Sequence, residues 1–87
     1  MRSDQMEMKI LIEYCSIWHY DNQAASLADS LMMQFAGKLQ DASIKSSERT
    51  GCFEVYIQDE LIYSKLKTGR FPNPGEVEQI ITERLLK

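Results

Sequence analysis

Two hydrophobic periods run along this chain, and together they predict its elements. Residues 9–14 form a short, apolar and β-branched stretch, which is typical of a buried strand. In residues 53–57 every second position carries a large apolar side chain, which predicts a strand with one face more buried than the other. Residues 42–46 predict a further short strand, and residues 61–63 begin the partner strand of a hairpin that turns at Gln58 and Asp59.

A three-to-four residue period predicts two helices. In the first, Asp21 stands at the N-cap position and Gly37 is placed to end the helix. Its apolar stripe, which we expect to pack into the core, comprises Ala24, Leu27, Ala28, Leu31, Met32 and Phe35. The second has Asn73 as its cap, Pro74 at its first position and Glu76 completing a capping-box-like pattern. Its apolar stripe comprises Val77, Ile80, Ile81 and Leu85.

The predicted order is β-α-β-β-β-α, which indicates an α/β two-layer sandwich of thioredoxin type. A crossover helix between the first two strands requires a parallel pair, and the hairpin adds antiparallel strands. We therefore expect a four-stranded mixed sheet with both helices on one face. The 87 residues suffice for a single domain, residues 1–87, in which we expect residues 1–7 to be a flexible N-terminal segment.

Composition and charge narrow the function classes. The net charge of −3 argues against nucleic acid as the main partner, because phosphate binding needs a basic surface. The cations of residues 64–70 form a local basic patch, which is typical of a solvated loop. No stretch is long and apolar enough for a transmembrane helix and no secretory signal is visible, so we expect a cytoplasmic protein that binds no membrane.

Metal and cofactor signals are weak. Cys15 and Cys52 are too few and too far apart in sequence for a disulfide scaffold, and with His19 they make no close ligand pair. We therefore expect no metal site and no tightly bound cofactor. The chain also lacks a glycine-rich phosphate loop and a spaced Ser/His/Asp set, so nothing indicates a kinase or a hydrolase.

Four segments in order resemble the selenoprotein W-related (Rdx) family, which has a thioredoxin-like fold. A strand runs directly into a cysteine loop at residues 12–20, and residues 24–28 follow on the first helix. Residues 50–55, Thr-Gly-Cys-Phe-Glu-Val, are similar to the family's Thr-Gly-x-Phe-Glu-Val strand. Residues 61–72, which contain Ser-Lys and end in Gly-Arg-Phe-Pro, are similar to its Ser-Lys…Gly-x-Phe-Pro segment.

The resemblance implies a role in thiol redox homeostasis, with glutathione as a co-substrate or with a thiol-containing protein as the partner. The family's Cys-x-x-Cys or Cys-x-x-selenocysteine loop is Cys15-Ser16-Ile17-Trp18 here. Cys15 matches the first position and becomes the candidate catalytic thiol. Trp18 stands at the second redox position, where it cannot resolve a mixed disulfide, so dithiol exchange within this loop is not expected.

Cys15 is expected to lie just before a helix, where free N–H groups and the helix dipole favour a thiolate. His19 would assist only if the loop folds it back. Two functions stay open. In the first, Cys15 works as a single thiol, as in a monothiol oxidoreductase. In the second, the chain is a non-enzymatic interaction module that has lost the two-atom centre, and Cys15 is inert.

Trp18, Tyr20, Gly51 and Cys52 are the candidate binding residues around this thiol. Trp18 and Tyr20 form either a partner surface or a cap on the core. By the resemblance, the segment of Gly51 and Cys52 packs beside the cysteine loop, with Gly51 where thioredoxin often has a cis-proline. A Cys15–Cys52 disulfide is then conceivable if the Cα atoms lie within about 7 Å, although strand alternation turns Cys52 away from Phe53, and a structural cysteine is the alternative. The oligomeric state is left open.

Overall fold

A computed structural model of the chain describes residues 8–85, so the prediction for residues 1–7 lies outside the described part. The predicted order of strands and long helices is confirmed, with one short helix added. The strands are β1 (Met8–Cys15), β2 (Leu39–Ser47), β3 (Phe53–Ile57) and β4 (Glu60–Ser64). The helices are α1 (Asp21–Gln34), α2 (Lys65–Thr68) and α3 (Glu76–Leu85).

The sheet is mixed, as predicted, with the strand order β2-β1-β3-β4. The crossover through α1 makes β1 and β2 parallel, whereas β3 runs antiparallel to β1 and to β4. The predicted hairpin turn joins β3 to β4, and Gln58 (φ 50°) and Asp59 (φ 71°) both have positive φ. Positive φ at both central residues is the backbone of a type I′ turn, whose twist matches that of paired strands.

Both long helices cover the same face of the sheet. The register pairs Ile12 with Val55 and Val55 with Tyr63, so these side chains project to one side. The helices add apolar side chains to this face, and Ser30 Oγ on α1 donates to Glu78 Oε2 on α3 at 2.8 Å. The buried core comprises Met8, Ile10, Ile12, Ala24, Ala28, Leu31, Phe35, Phe53, Val55, Ile57, Tyr63, Val77 and Ile81. Burying each large side chain of this set contributes about 1.5–3 kcal/mol.

The boundaries of α1 differ from the prediction. Asp21 is the first helical residue rather than the cap, and Tyr20 at the N-cap makes no side-chain capping bond. An acidic residue in the first turn still suits the helix dipole, which explains why Asp21 looked like a cap. Met32 was expected in the core but is 45% exposed, because Ala28 and Leu31 already fill the buried side of the helix.

The approach to α3 is a turn rather than a proline-started helix. Glu76 N–H donates to Asn73 O at 2.9 Å, and Gly75 between them has φ 83°. Proline followed by a glycine of positive φ is the pattern of a type II turn, which places Pro74 outside the helix. The capping-box hydrogen bond is present nevertheless, since Asn73 N–H donates to Glu76 Oε1 at 2.8 Å.

Part of the basic segment is helical. Ser64 Oγ accepts the N–H of Lys67 at 3.2 Å and begins α2, while Gly69 at φ 82° ends it by donating to Lys65 O at 2.7 Å. Four residues make little more than one turn, too short to show a helical period in the sequence. This helix was therefore predicted as a loop.

Candidate functional site

The cysteine loop and the turn before β3 meet at one end of the sheet. Because β1 and β2 are parallel, their carboxyl ends lie at the same edge, and the antiparallel β3 begins there. Ser16 N–H donates to Ser47 O at 3.1 Å, and Cys15 N–H donates to Cys52 O at 2.9 Å. Segments far apart in the sequence are thus joined around Cys15.

The Cys15 thiol lies in a cluster of backbone amides. Trp18 N–H donates to Cys15 Sγ at 3.4 Å, and the side chain of Cys15 is 0% exposed. Burial raises the pKa of Cys15, but the backbone N–H groups of Gly51, Trp18, Ile17 and Cys52 lower it, and the net pKa lies below the ordinary value. Hydrogen bonds to the charged form are a recognised cause of such a shift. The arrangement stabilises a thiolate.

The source of this stabilisation differs from the one expected. We expected the N-terminus of the first helix to act on Cys15, but α1 begins only at Asp21. The donors belong instead to the cysteine loop and to the Gly51–Cys52 segment. His19, considered as an assistant, is exposed at φ 61° and is not among the main groups that shift the pKa of Cys15.

Trp18 and Gly51 pack against each other beside this thiol. The indole is 51% exposed, and a Cβ atom built on Gly51 would lie 3.2 Å from its Cζ3 atom. Gly51 also has φ 76°, a conformation that side-chain-bearing residues rarely adopt. Only glycine at this position allows the amide to face Cys15 while the indole covers the other side.

Tyr20 continues the aromatic surface away from Trp18. The ring centroids of Trp18 and Tyr20 are 6.0 Å apart, those of Tyr20 and Phe71 4.6 Å, and those of Phe71 and Phe53 5.2 Å, all edge-on. Lys65 Nζ lies 5.5 Å from the Tyr20 centroid and 5.2 Å from that of Phe71. Such cation–aromatic contacts fix the cysteine loop to α2 and the loop that follows it.

Cys52 lies opposite Cys15 in the sheet. Tyr14 pairs with Phe53 in the antiparallel ladder, and the hydrogen bond from Cys15 N–H to Cys52 O continues it by one step. Cys52 is 0% exposed and, like Cys15, has a free thiol. Strand alternation predicts that it lies on the face away from the long helices, on the side of Glu54 rather than Phe53.

The surroundings of Cys52 act on its thiol in the opposite sense to those of Cys15. Burial raises the pKa of Cys52, and the charges of Glu13 and Cys15 raise it further. The Ser47 hydroxyl and the Arg49 guanidinium lower it, but the net pKa is above the ordinary value. Arg49 is held by Glu13, with Nη1 and Oε1 3.2 Å apart.

Glu54 is a structural residue that the sequence reasoning missed. Its carboxylate is buried, with the residue 1% exposed, and accepts hydrogen bonds from Ser64 Oγ, from Phe53 N–H at 3.1 Å and from Leu66 N–H at 3.3 Å. A buried carboxylate needs such donors to offset its lost hydration. Glu54 therefore joins β3 to the start of α2, and its place in the Thr-Gly-x-Phe-Glu-Val segment was the signal that could have identified it.

Arg70 of the basic patch is paired rather than free. Its Nη1 and Nη2 donate to Glu76 Oε1 at 2.8 Å and Oε2 at 3.1 Å, and Nη1 also donates to Phe71 O at 3.1 Å. The Arg70 guanidinium, with the Asn73 N–H, lowers the pKa of Glu76 to about 2. This ion pair holds the loop that carries Phe71.

A groove of about 480 Å³ lies between α1 and the loop of residues 71–75. Its walls include Leu27, Phe53, Phe71 and Pro72. Cys15, Trp18 and Gly51 are not in its lining, so the thiol does not open into this groove.

Membrane-spanning helices and metal-ligand clusters are both absent from residues 8–85. No helix there is long and apolar enough to cross a membrane. In the same range, no three His, Cys, Asp or Glu side chains come together in a way that would hold a metal ion.

The chain is similar to several known proteins. It is 38% identical over 68 residues to a thioredoxin reductase-like selenoprotein T homolog of Drosophila melanogaster, covering 78% of this chain and 33% of that protein. It is 31% identical over 74 residues to migration and invasion enhancer 1 of Bos taurus, covering 85% of this chain and 62% of that protein. The chain thus spans a third of the Drosophila relative.

A solved structure gives the same fold. The selenoprotein W-related protein from Vibrio cholerae superposes with a TM-score of 0.83, covering 88% of this chain and 95% of that one at 21% identity. The model of the Rdx family matches residues 9–83, which is nearly the whole described part of the chain. These similarities support a redox-related role at the level of the family. The chain belongs to the Rdx family.

Proposed function

We propose that this protein is a monothiol redox protein that exchanges disulfides through Cys15, with glutathione or a thiol-containing protein as its partner. The observation that carries the proposal is the cluster of backbone N–H groups around Cys15 Sγ, which lowers the pKa of this thiol. The thiolate is the attacking species in disulfide exchange, so a lowered pKa increases the reactive fraction at neutral pH.

The proposed reaction is a single exchange. The Cys15 thiolate attacks one sulfur of a disulfide R–S–S–R, the S–S bond breaks, and a mixed disulfide between Cys15 and one R–S group forms. The other R–S⁻ leaves and takes a proton from water. Trp18 has no sulfur with which to displace the bound R–S group, so exchange between positions 15 and 18 has no place in this cycle.

Two features of the cysteine loop and the aromatic residues that it contacts favour such partners. Lys65 Nζ lies over the rings of Tyr20 and Phe71 and supplies a cation that suits the carboxylates of glutathione. Ile17 and Trp18 are 57% and 51% exposed, and consecutive exposed apolar side chains are suited to contact with a protein. Since Cys15 itself is 0% exposed, the cysteine loop must move to admit either partner.

The test uses glutathione disulfide and the full chain with Cys52→Ser. Intact-mass measurement should show one added glutathionyl group, and peptide mapping should place it on Cys15. The matched control carries Cys15→Ser in addition and should show no adduct. Absence of an adduct on folded Cys52→Ser protein would contradict the proposed function.

The burial of Cys15 and the exposure of Ile17 and Trp18 also favour a second candidate, a non-enzymatic interaction module. In that function the loop is a contact surface and the thiol is inert. It requires ordinary or slow alkylation of Cys15, whereas a thiol that is alkylated rapidly at neutral pH excludes it. Trp18 would then be the first residue to replace in a binding assay.

A further inference from the structure

We infer that Cys52 is the resolving thiol of this protein, forming an intramolecular disulfide with Cys15 and releasing the partner bound there. The inference rests on the proposed function, because it needs a mixed disulfide on Cys15. It goes beyond that function by supplying a second sulfur from across the sheet, in place of the one that position 18 lacks.

The position of Cys52 in the ladder carries the inference. Tyr14 and Phe53 form the last pair between β1 and β3, and the 2.9 Å bond from Cys15 N–H to Cys52 O places the two cysteines directly opposite each other. Opposed residues project to the same face of a sheet. Only one of the two N–H···O bonds of a hydrogen-bonded pair is made here, because Cys52 N–H donates to Arg49 O at 3.2 Å. Opposed residues of antiparallel strands have Cα atoms about 4.5–5.5 Å apart, within the range of about 4.4–6.8 Å found for disulfides.

Each cysteine also affects the ionisation of the other. The backbone N–H of Cys52 acts on the Cys15 thiol, and the charge of Cys15 acts in turn on the thiol of Cys52. Gly51, which adjoins Cys52, contributes another N–H to the same sulfur. The two thiols therefore share one electrostatic environment at this end of the sheet.

The two steps balance in atoms and electrons. In the first, the Cys15 thiolate displaces one glutathione thiolate from glutathione disulfide and forms the mixed disulfide. In the second, the Cys52 thiol loses its proton to water and its sulfur attacks Cys15 Sγ, so the Cys15–glutathione bond breaks and the second glutathione thiolate leaves and is protonated. Glutathione disulfide gains two electrons, and the two cysteines lose two.

The places of the two thiols in the chain suit Cys52 to the second step rather than the first. Cys15 begins the loop that carries the exposed Ile17 and Trp18, whereas Cys52 is buried immediately before β3, where its neighbour on the opposite strand stays within reach. Ser47 and Arg49 favour its thiolate, whereas burial, Glu13 and the charge of Cys15 oppose it. Formation of the mixed disulfide removes the charge of Cys15 and with it one of the opposing effects.

The raised pKa of Cys52 predicts how the two steps respond to pH. Adduct formation should level off once Cys15 is ionised. Release of glutathione should continue to accelerate at higher pH, because the attacking fraction of Cys52 is still increasing there.

The experiment follows the reduced full chain with glutathione disulfide by acid-quenched intact mass. The unsubstituted protein should pass through a glutathionyl adduct and end as a monomer lacking two hydrogens, with two glutathione molecules released per chain. Cys52→Ser should stop at the adduct. Cys52→Ala, with circular dichroism to establish its fold, repeats the measurement in case the buried serine unfolds the protein.

The outcomes separate the two proposals. If neither folded Cys52 variant forms an adduct, the monothiol function itself fails. If both form the adduct and the unsubstituted protein also stops there, or proceeds only to a disulfide-linked dimer, the function stands and the assignment of Cys52 is overturned. An intramolecular Cys15–Cys52 disulfide identified by peptide mapping, absent from Cys15→Ser, supports it.

Discussion

Cys15 at the end of β1 and Cys52 immediately before β3 carry two buried thiols in opposite electrostatic settings. Both side chains are 0% exposed, so burial alone would raise both pKa values. Around Cys15, backbone N–H groups from both segments outweigh burial and lower the pKa. Around Cys52, burial together with Glu13 outweighs Ser47 and Arg49.

Backbone donors, rather than solvent exposure, distinguish the two thiols. The donors to Cys15 belong to the backbone and depend on the local path of the chain at residues 17–18 and 51–52. In the proposed cycle, these settings suit Cys15 to attack and Cys52 to resolve the mixed disulfide.

Glu54→Ala should have the largest effect on stability and little effect on Cys15. It removes the buried carboxylate that accepts from Ser64, Phe53 and Leu66, and should lower the free energy of unfolding by about 3 kcal/mol, since each buried donor left unpaired costs about 1–3 kcal/mol. Urea unfolding measures the loss. Glu54→Gln keeps an acceptor and should cost less; equal losses in both variants would contradict this role.

Gly51→Ala should lower the stability of the fold and raise the pKa of the Cys15 thiol. The positive φ of 76° and the 3.2 Å approach of the Trp18 indole should cost about 1–3 kcal/mol of unfolding free energy. The Gly51 N–H should also move away from Cys15, raising the pKa of that thiol in an alkylation profile. Gly37→Ala is the matched control, because Gly37 also has positive φ but no atom within 4 Å of its added Cβ. A Cys15 pKa that moves equally in both variants would argue against the Gly51 contact.

Trp18→Ala should make the Cys15 thiol more accessible without changing its pKa. The Trp18 backbone N–H remains, so the pKa of Cys15 should be unchanged, while removal of the indole from Gly51 should raise the plateau rate of alkylation. Loss of its edge contact with Tyr20 should cost only about 1 kcal/mol. The profile is measured beside Ile17→Ala, which removes a neighbouring exposed side chain. A shifted pKa in Trp18→Ala would mean that the indole itself sets the ionisation of the thiol.

Glu76→Gln should have the smallest effect on the stability of the fold, and the effect should disappear in acid. The folded pKa of Glu76 is about 2, below the unfolded value of about 4.3, so its carboxylate stabilises the fold above pH of about 4.3. That contribution is lost as the pH falls towards 2. Unfolding midpoints of the variant and the unsubstituted protein should therefore differ at neutral pH and converge in acid. Glu48→Gln at an exposed position is the control, and a gap that persists at pH 2 would contradict the Arg70–Glu76 pair.

Much of the fold could be predicted because hydrophobic periods report burial directly. Residues 53–57 alternate in the sequence and form β3 without a change of boundary. Gln58 and Asp59 were correctly placed at the hairpin turn. The predictions for Asp21 and Pro74 were wrong about where a helix begins. The prediction for Met32 was wrong about how much of the helix surface is buried. These depend on tertiary packing more than on local preference.

The site was less predictable because its chemistry depends on where backbone N–H groups point, which the sequence does not show. The sequence identified Cys15, Trp18, Tyr20 and Gly51 as neighbours, and the structure brings them together, but it could not show that amides rather than a helix end face the thiol. Glu54 was missed because alternation marks it only as a polar strand position. Its burial follows from α2, a helix too short to leave a period.

The measurement that tests the central claim most directly is the rate of Cys15 alkylation against pH in Cys52→Ser protein, read by intact mass. The account predicts a titration midpoint clearly below about 8.5, the value of an unperturbed thiol. A midpoint at or above that value would contradict the amide-stabilised thiolate and favour the interaction module.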